Sequence, residues 1–233
     1  MISRRQFLNT TACLVTSGLS GIGCSASYTS PPKPCRSIIT SYGLKTSVRN
    51  SDLVRDAGGT HIEDSVKNLL VPQKTESEFA ERSEALLDGK PLPVVSCVNF
   101  LPSRLKAIGP EADTEAVLAW ARITFQRAAK LSIPIIVFGS GKSRLIPKDF
   151  SKDLASRQMI ALMSEMGDLA ADSGITVAIE PLEPAETNFL NTLHEAREII
   201  EAVDHSAVRF AADFYHMGKS CSVDTIPNRS VPG

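Results

Sequence analysis

The chain has 233 residues, 42% of them hydrophobic and 22% charged, values of an ordinary globular protein long enough for one sizeable core. Lys plus Arg number 25 against 26 Asp plus Glu, a formal net charge of −1, so the basic excess usual in nucleic-acid binders is missing. No apolar run reaches the roughly 18 residues of a transmembrane helix, and the composition excludes collagen, coiled coil and low-complexity disorder.

Chain order begins with a leader. Ser3-Arg4-Arg5-Gln6-Phe7-Leu8, followed by a moderately apolar stretch from Leu8 to Gly23, resembles a twin-arginine export signal. This reading makes residues 1–26 a signal peptide cleaved after Ala26 and sends the protein to the periplasm or cell envelope. Gly21-Ile22-Gly23-Cys24 offers an alternative, a lipoprotein anchored through Cys24. Residues 27–36 carry Pro31, Pro32 and Pro34 and read as a linker. The domain is expected over residues 37–233. Of five cysteines, Cys35, Cys97 and Cys221 remain beyond the leader, with no CxxC pair and no zinc spacing. Cys97 sits in an apolar run and reads as a buried thiol.

Strand and helix signals then alternate. Ser37 to Thr40 is a short strand candidate, and Asn50 or Ser51 caps a brief helix with Leu53 and Val54 that ends at Gly58-Gly59. Thr60-His61-Ile62 is the second strand, ending at Glu63. Thr75-Glu76-Ser77-Glu78 has capping-box spacing and opens a helix with Phe79, Leu86 and Leu87. Pro93 to Val98 is the third strand. Asp113 or Thr114 begins a long helix whose Val117, Ala121, Thr124, Ala128 and Leu131 share one face. Ile135 to Phe138 is the fourth strand, a continuous apolar run suited to a parallel sheet covered on both faces. Ser151 opens the next helix, with Leu154, Met159, Leu162, Met163, Met166 and Leu169 inward. Ile175 to Ile179 is the fifth strand. Thr192-Leu193-His194-Glu195 is a second capping box, ahead of the stripe Leu193, Ala196, Ile199 and Val203. Val208 to Ala212 is the sixth strand. His194 and His205 read as solvated surface.

Six strands alternating with about five helices predict an α/β parallel architecture. No GxGxxG follows the first strand, which removes the dinucleotide-binding fold. Gly141-Lys142-Ser143 ends like a phosphate-binding loop, but Ile136 stands where that motif needs its first glycine. Glu63, Glu180 and Asp213 each follow an apolar strand, at the rim where barrel enzymes build their sites. Repeated carboxylates around one mouth suit a hard divalent cation. Glu63 is read as structural rather than catalytic.

Ile179-Glu180-Pro181-Leu182, then Glu186-Thr187-Asn188, then Asp213-Phe214-Tyr215-His216 resemble the sugar isomerase/epimerase superfamily, the xylose-isomerase-like TIM barrels. Val137 to Lys142 with Arg144 and Pro147 match as well, and His61-Ile62-Glu63 more weakly, so the likeness runs from about Ser41 to Met217. The resemblance implies a (β/α)8 barrel in which Glu180 is a metal ligand and an acid/base carboxylate. It implies Asp213 as a second ligand, and Glu186 and His216 as holders of substrate hydroxyls. The implied chemistry is proton transfer between neighbouring carbons of a sugar or sugar phosphate. A divalent ion would stabilise the enediolate. Carboxylate ligands favour Mn²⁺, Mg²⁺ or Co²⁺, with Zn²⁺ ranked lower.

The chain departs from that pattern at its end. After Asp213 only 20 residues remain, Phe214 to Gly233, whereas a further strand-helix-strand unit needs about 30. The barrel is therefore expected to stop after about six strands, without the family's His after strand seven and Glu after strand eight. An open flank of this kind favours self-association, and activity of the chain as written is in doubt. Two alternatives to the isomerase stand: an endonuclease IV-like zinc phosphodiesterase, and a catalytically inactive sugar-binding protein of the envelope.

Overall fold

The computed structural model of the protein describes residues 41–219. The leader, the linker, the strand expected at 37–40 and the segment after 219 lie outside the described residues.

Six strands form one sheet: β1 (Gly43–Lys45), β2 (His61–Ser65), β3 (Val94–Val98), β4 (Ile135–Phe138), β5 (Thr176–Ile179) and β6 (Val208–Phe210). Every neighbouring pair is parallel, and the order across the sheet is the order along the chain. Helices α1 (Ser51–Asp56), α2 (Glu76–Leu87), α3 (Thr114–Lys130), α4 (Lys152–Asp172) and α5 (Leu193–Val203) fill the crossovers, and α6 (Phe214–Lys219) follows β6. This is the expected α/β architecture, a six-stranded parallel sheet flanked by helices and consistent with a truncated (β/α)8 barrel.

Local chemistry starts the helices where expected. Thr75 and Glu78 form a reciprocal capping box on α2, and Thr192 and Glu195 do the same on α5. Asp113 and Ser151 each accept a backbone N–H at the start of α3 and α4. The core lies between sheet and helices. Ile136 and Phe138 of β4, Val177 and Ile179 of β5 and Val208 of β6 meet Val117, Ala121, Ala128, Met159, Met163 and Met166 there. Phe100, just past β3, stacks on Phe125 of α3 at 5.7 Å and meets Phe138 edge-on at 5.5 Å. Cys97 is buried as expected. The other face of the sheet is mixed: Glu63 and Ser96 are joined by a 2.8 Å hydrogen bond, while the buried Val137 and Ala178 alternate with the core-facing residues of β4 and β5.

Several details differ from the sequence reading. β1 lies at Gly43–Lys45, a segment without a strand signature of its own; it is held by pairing with β2. Glu63 lies within β2 rather than at its end, because the strand continues through Asp64 and Ser65. Asp64 and Ser65 pair with Cys97 and Val98 of β3, which carries the strand onward, and the buried Asp64 side chain accepts the backbone N–H groups of Val48 (2.8 Å) and Ser65 (2.7 Å). β6 stops at Phe210. Leu154 is exposed rather than inward, in the first turn of its helix. His205 is half-buried: its ring lies against Gly167, and its Nδ1 accepts the Ala207 N–H at 3.1 Å.

Both outer strands expose apolar side chains. Leu44 of β1 is 45% exposed and Phe210 of β6 is 44% exposed, with Phe214 and Tyr215 beside the latter edge. Among the described residues no helix is long and apolar enough to cross a membrane.

Candidate metal and sugar site

Glu180 is the first residue after β5, and its main chain is held on both sides. Its N–H donates to Phe138 O at 3.2 Å, continuing the ladder with β4. Its carbonyl accepts from Arg144 Nη2 at 2.5 Å. The side chain projects over Gly139, where a Cβ would lie 2.6 Å from Glu180 Oε2. Only the lack of a side chain at that position leaves the carboxylate its place.

Asp213 follows β6 and starts α6. Its Oδ1 accepts the Tyr215 N–H at 2.7 Å and its carbonyl accepts the Met217 N–H at 2.9 Å. That helical turn sets His216, three residues on, above the same mouth. Carboxylate oxygens of Glu180 and Asp213 and a ring nitrogen of His216 all lie within 4.8 Å of one another. A second group, Glu183, Glu186 and His216, shares the same histidine and the same 4.8 Å limit. The structure thus brings together all four residues singled out in the sequence, Glu180, Asp213, His216 and Glu186. Glu186 joins them through His216 and is exposed, whereas Glu180 and Asp213 are half-buried.

The loop carrying Glu183 and Glu186 is fixed from several sides. Asn188 exchanges two bonds with the main chain of Ile146, at 2.8 and 2.9 Å. Asn191 Nδ2 donates to Leu182 O (2.7 Å) and Thr187 O (2.9 Å). A Cβ on Gly141 would fall 2.8 Å from the Glu186 carbonyl oxygen, so glycine there lets the β4 and β5 loops meet. The site is held in place by main-chain bonds and does not depend on side-chain packing alone.

Electrostatics favour a proton or a cation at this point. Burial, then the neighbouring charges of Asp213 and Glu63, push the Glu180 carboxyl up to about 7; Lys45 and Arg144 pull the other way more weakly. Like carboxylates in a partly buried mouth are relieved by a divalent ion. The donor set fits one. The carboxylate oxygens of Glu180 and Asp213, within 4.8 Å of each other, can close on a small divalent ion, whose opposite ligands stand about 4.2 Å apart. His216 contributes differently, because its Nδ1 already accepts the Glu183 N–H at 3.2 Å. A neutral ring in that arrangement carries its hydrogen on Nε2 and offers a donor, not a lone pair.

Glu183 was missed by sequence reasoning. It stands between two quoted motifs, three residues after Glu180, and only the fold of the loop shows that it shares the mouth. Lys45, paired with Glu63 across β1 and β2, was missed for the same reason that β1 was.

A family profile described as "Xylose isomerase-like TIM barrel" matches residues 51–229. Among solved structures the fold is similar to 3-keto-D-glucoside 4-epimerase YcjR from E. coli, at 18% identity and TM-score 0.60, covering 76% of this chain and 69% of that one. It is similar to D-psicose 3-epimerase with D-tagatose from Clostridium cellulolyticum H10, at 18% identity and TM-score 0.62, covering 81% and 63%. A third is the probable 3-DHS dehydratase AsbF from Bacillus anthracis, at 20% identity and TM-score 0.58, covering 78% and 65%. The aligned part thus spans about two thirds of the length of these structures. No curated protein sequence matches the chain.

Proposed function

As the chain belongs to the xylose isomerase-like TIM-barrel family, we propose that it is a divalent-metal-dependent isomerase or epimerase of a sugar or sugar phosphate. The observation that carries this reading is the convergence of Glu180, Asp213 and His216 within 4.8 Å at the C-terminal ends of parallel strands. Glu180 and Asp213 hold the ion, with Mn²⁺, Mg²⁺ or Co²⁺ preferred over Zn²⁺ by the carboxylate donors. When bound, the ion supplies positive charge where the sugar oxygens become negative as an enediolate forms. Glu180, ionised as a ligand of the ion, is also the carboxylate that takes and returns the proton beside the carbonyl. His216 Nε2–H and the Glu186 carboxylate orient sugar hydroxyls, one as donor and one as acceptor. The leader is proposed to direct export to the cell envelope, and changing Arg4 and Arg5 together to Lys is expected to retain the protein in the cytoplasm; unchanged export would refute that assignment.

Calorimetric titration with Mn²⁺ tests the metal reading. Binding is expected in the wild-type chain, and Glu180→Gln and Asp213→Asn are each expected to weaken it at least about tenfold, as loss of a ligand does. Undetectable wild-type binding, or binding unchanged in both variants, would remove the metal site. Turnover is tested separately by following proton exchange with solvent on D-psicose, D-tagatose and a 3-keto-glucoside. Metal binding without any exchange would leave the site and remove the isomerase.

A further inference from the structure

Arg144 is the largest fully buried side chain among the described residues, with 0% exposure. Burial holds its guanidinium down to about 10, against the pull of Glu180, Glu195 and Glu186. Taking a guanidinium out of water is costly, and its two hydrogen bonds both go to main-chain carbonyls. Nε donates to Gly139 O at 2.7 Å and Nη2 to Glu180 O at 2.5 Å. These carbonyls sit one residue past the ends of β4 and β5. The third nitrogen, Nη1, is buried without a hydrogen-bond partner, as is Thr187 Oγ1 in the adjoining loop. A buried cation with an unspent donor is a poor device for stability, so its position asks for another reason.

Glu180 supplies one. Its N–H is fixed by Phe138 and its C=O by Arg144, so the direction in which the side chain leaves the backbone is set by those two bonds. Gly139 completes the arrangement, since Glu180 Oε2 fills the space that a Cβ there would take. We propose that Arg144 and Gly139 together form the seat of Glu180, positioning residues that aim its carboxylate at Asp213 and His216 without touching ion or sugar. This rests on the metal reading above. It adds that the geometry of the metal ligand is set from the β4 loop. The planar fork is needed because a single ammonium has no rigid pair of donors to span two carbonyls.

Two variants test this. In Gly139→Ala the new Cβ clashes with the far end of the flexible Glu180 side chain and meets Leu182 Cδ2 at an ordinary 3.5 Å, and Gly139 does not have a positive φ, so the fold is expected to persist while the carboxylate moves. Arg144→Lys keeps the charge and loses the fork. Mn²⁺ affinity by calorimetry is expected to fall about 10- to 100-fold in each, with a changed Mn²⁺ electron paramagnetic resonance spectrum. The melting temperature of metal-free Gly139→Ala should stay within a few degrees of wild type. Affinity and spectrum unchanged in Gly139→Ala would overturn the proposal, whether or not Arg144→Lys folds. If the wild-type chain itself binds no Mn²⁺, the metal reading fails alone. Crystal structures of the metal-free variants then decide the seat: a Glu180 carboxylate displaced by about 1 Å, beyond the tolerance of a built site, supports it, and one that has not moved refutes it.

Discussion

The Nδ1 of His216 accepts the main-chain N–H of Glu183 at 3.2 Å, a bond that joins the helix after β6 to the loop after β5. It ties the ring to the segment bearing Glu183 and Glu186 and reserves Nε2–H for a partner in the mouth. His216→Ala is therefore expected to weaken sugar binding about tenfold or more, in the range for loss of a buried donor, while Mn²⁺ affinity stays within about threefold, a change under 1 kcal/mol. Nitrogen-15 spectra of the ring should show the hydrogen on Nε2. A hydrogen found on Nδ1, or Mn²⁺ binding lost with the imidazole, would make His216 a ligand instead.

Glu180 gives the metal-free protein a pH dependence of defined sign. Its carboxyl is raised from an ordinary 4.5 to about 7 by burial, then by Asp213 and Glu63, so the folded chain keeps a proton that the unfolded chain releases between those values. Stability from this group is therefore lost as pH rises from about 4.5 to 7 and is level above. In chelator, wild type is expected to melt several degrees lower at pH 8 than at pH 5 relative to Glu180→Gln, at roughly 2–4 °C per kcal/mol for a domain of this size. Added Mn²⁺ should restore the wild type at pH 8 and leave Glu180→Gln unaffected. Parallel melting profiles for the two proteins would contradict the raised carboxyl.

Asn188 joins two loops with a donor and an acceptor. Its amide spans the N–H and C=O of Ile146, much as one strand would pair with another. Asn188→Ala is expected to cost about 1–3 kcal/mol, two hydrogen bonds at 0.5–1.5 each. The Ile146 amide should exchange with solvent faster, while amides in β4 keep their protection. Unchanged exchange at Ile146 would show that the loops hold together without this residue.

The sequence was most legible where structure is local. The capping boxes of α2 and α5 need only four consecutive residues, and Ile135–Phe138 announces itself as a strand through β-branched and aromatic side chains in a row. The Asp213–His216 pair entered through the family resemblance, and the structure lays its DxxH spacing on one helical turn. β1 was not, since three residues carry no period and Gly43-Leu44-Lys45 is extended only through its partner. Glu183 escaped because its place in the mouth depends on a turn stitched by Asn188 and Asn191, whose partners lie outside its own motif. The inward face expected for Leu154 failed for a related reason: periodicity says which residues share a face, while the neighbouring layer decides whether that face is covered at the helix end.

The sheet adds its strands in the order in which the chain is made, with no strand inserted between earlier ones. A ribosome can therefore release this arc piece by piece, each new unit docking on an edge that already exists, as vectorial folding requires. The proposed acidic ligands come from the end of that sequence: Glu180 appears with the fifth strand and Asp213 only after the sixth. Before the fifth strand the growing fragment carries neither residue, and between the fifth and the sixth it carries Glu180 without Asp213. Under the proposed metal reading, ion capture by the Glu180–Asp213 pair would act as a clock hand, marking the moment when the last described strand has joined.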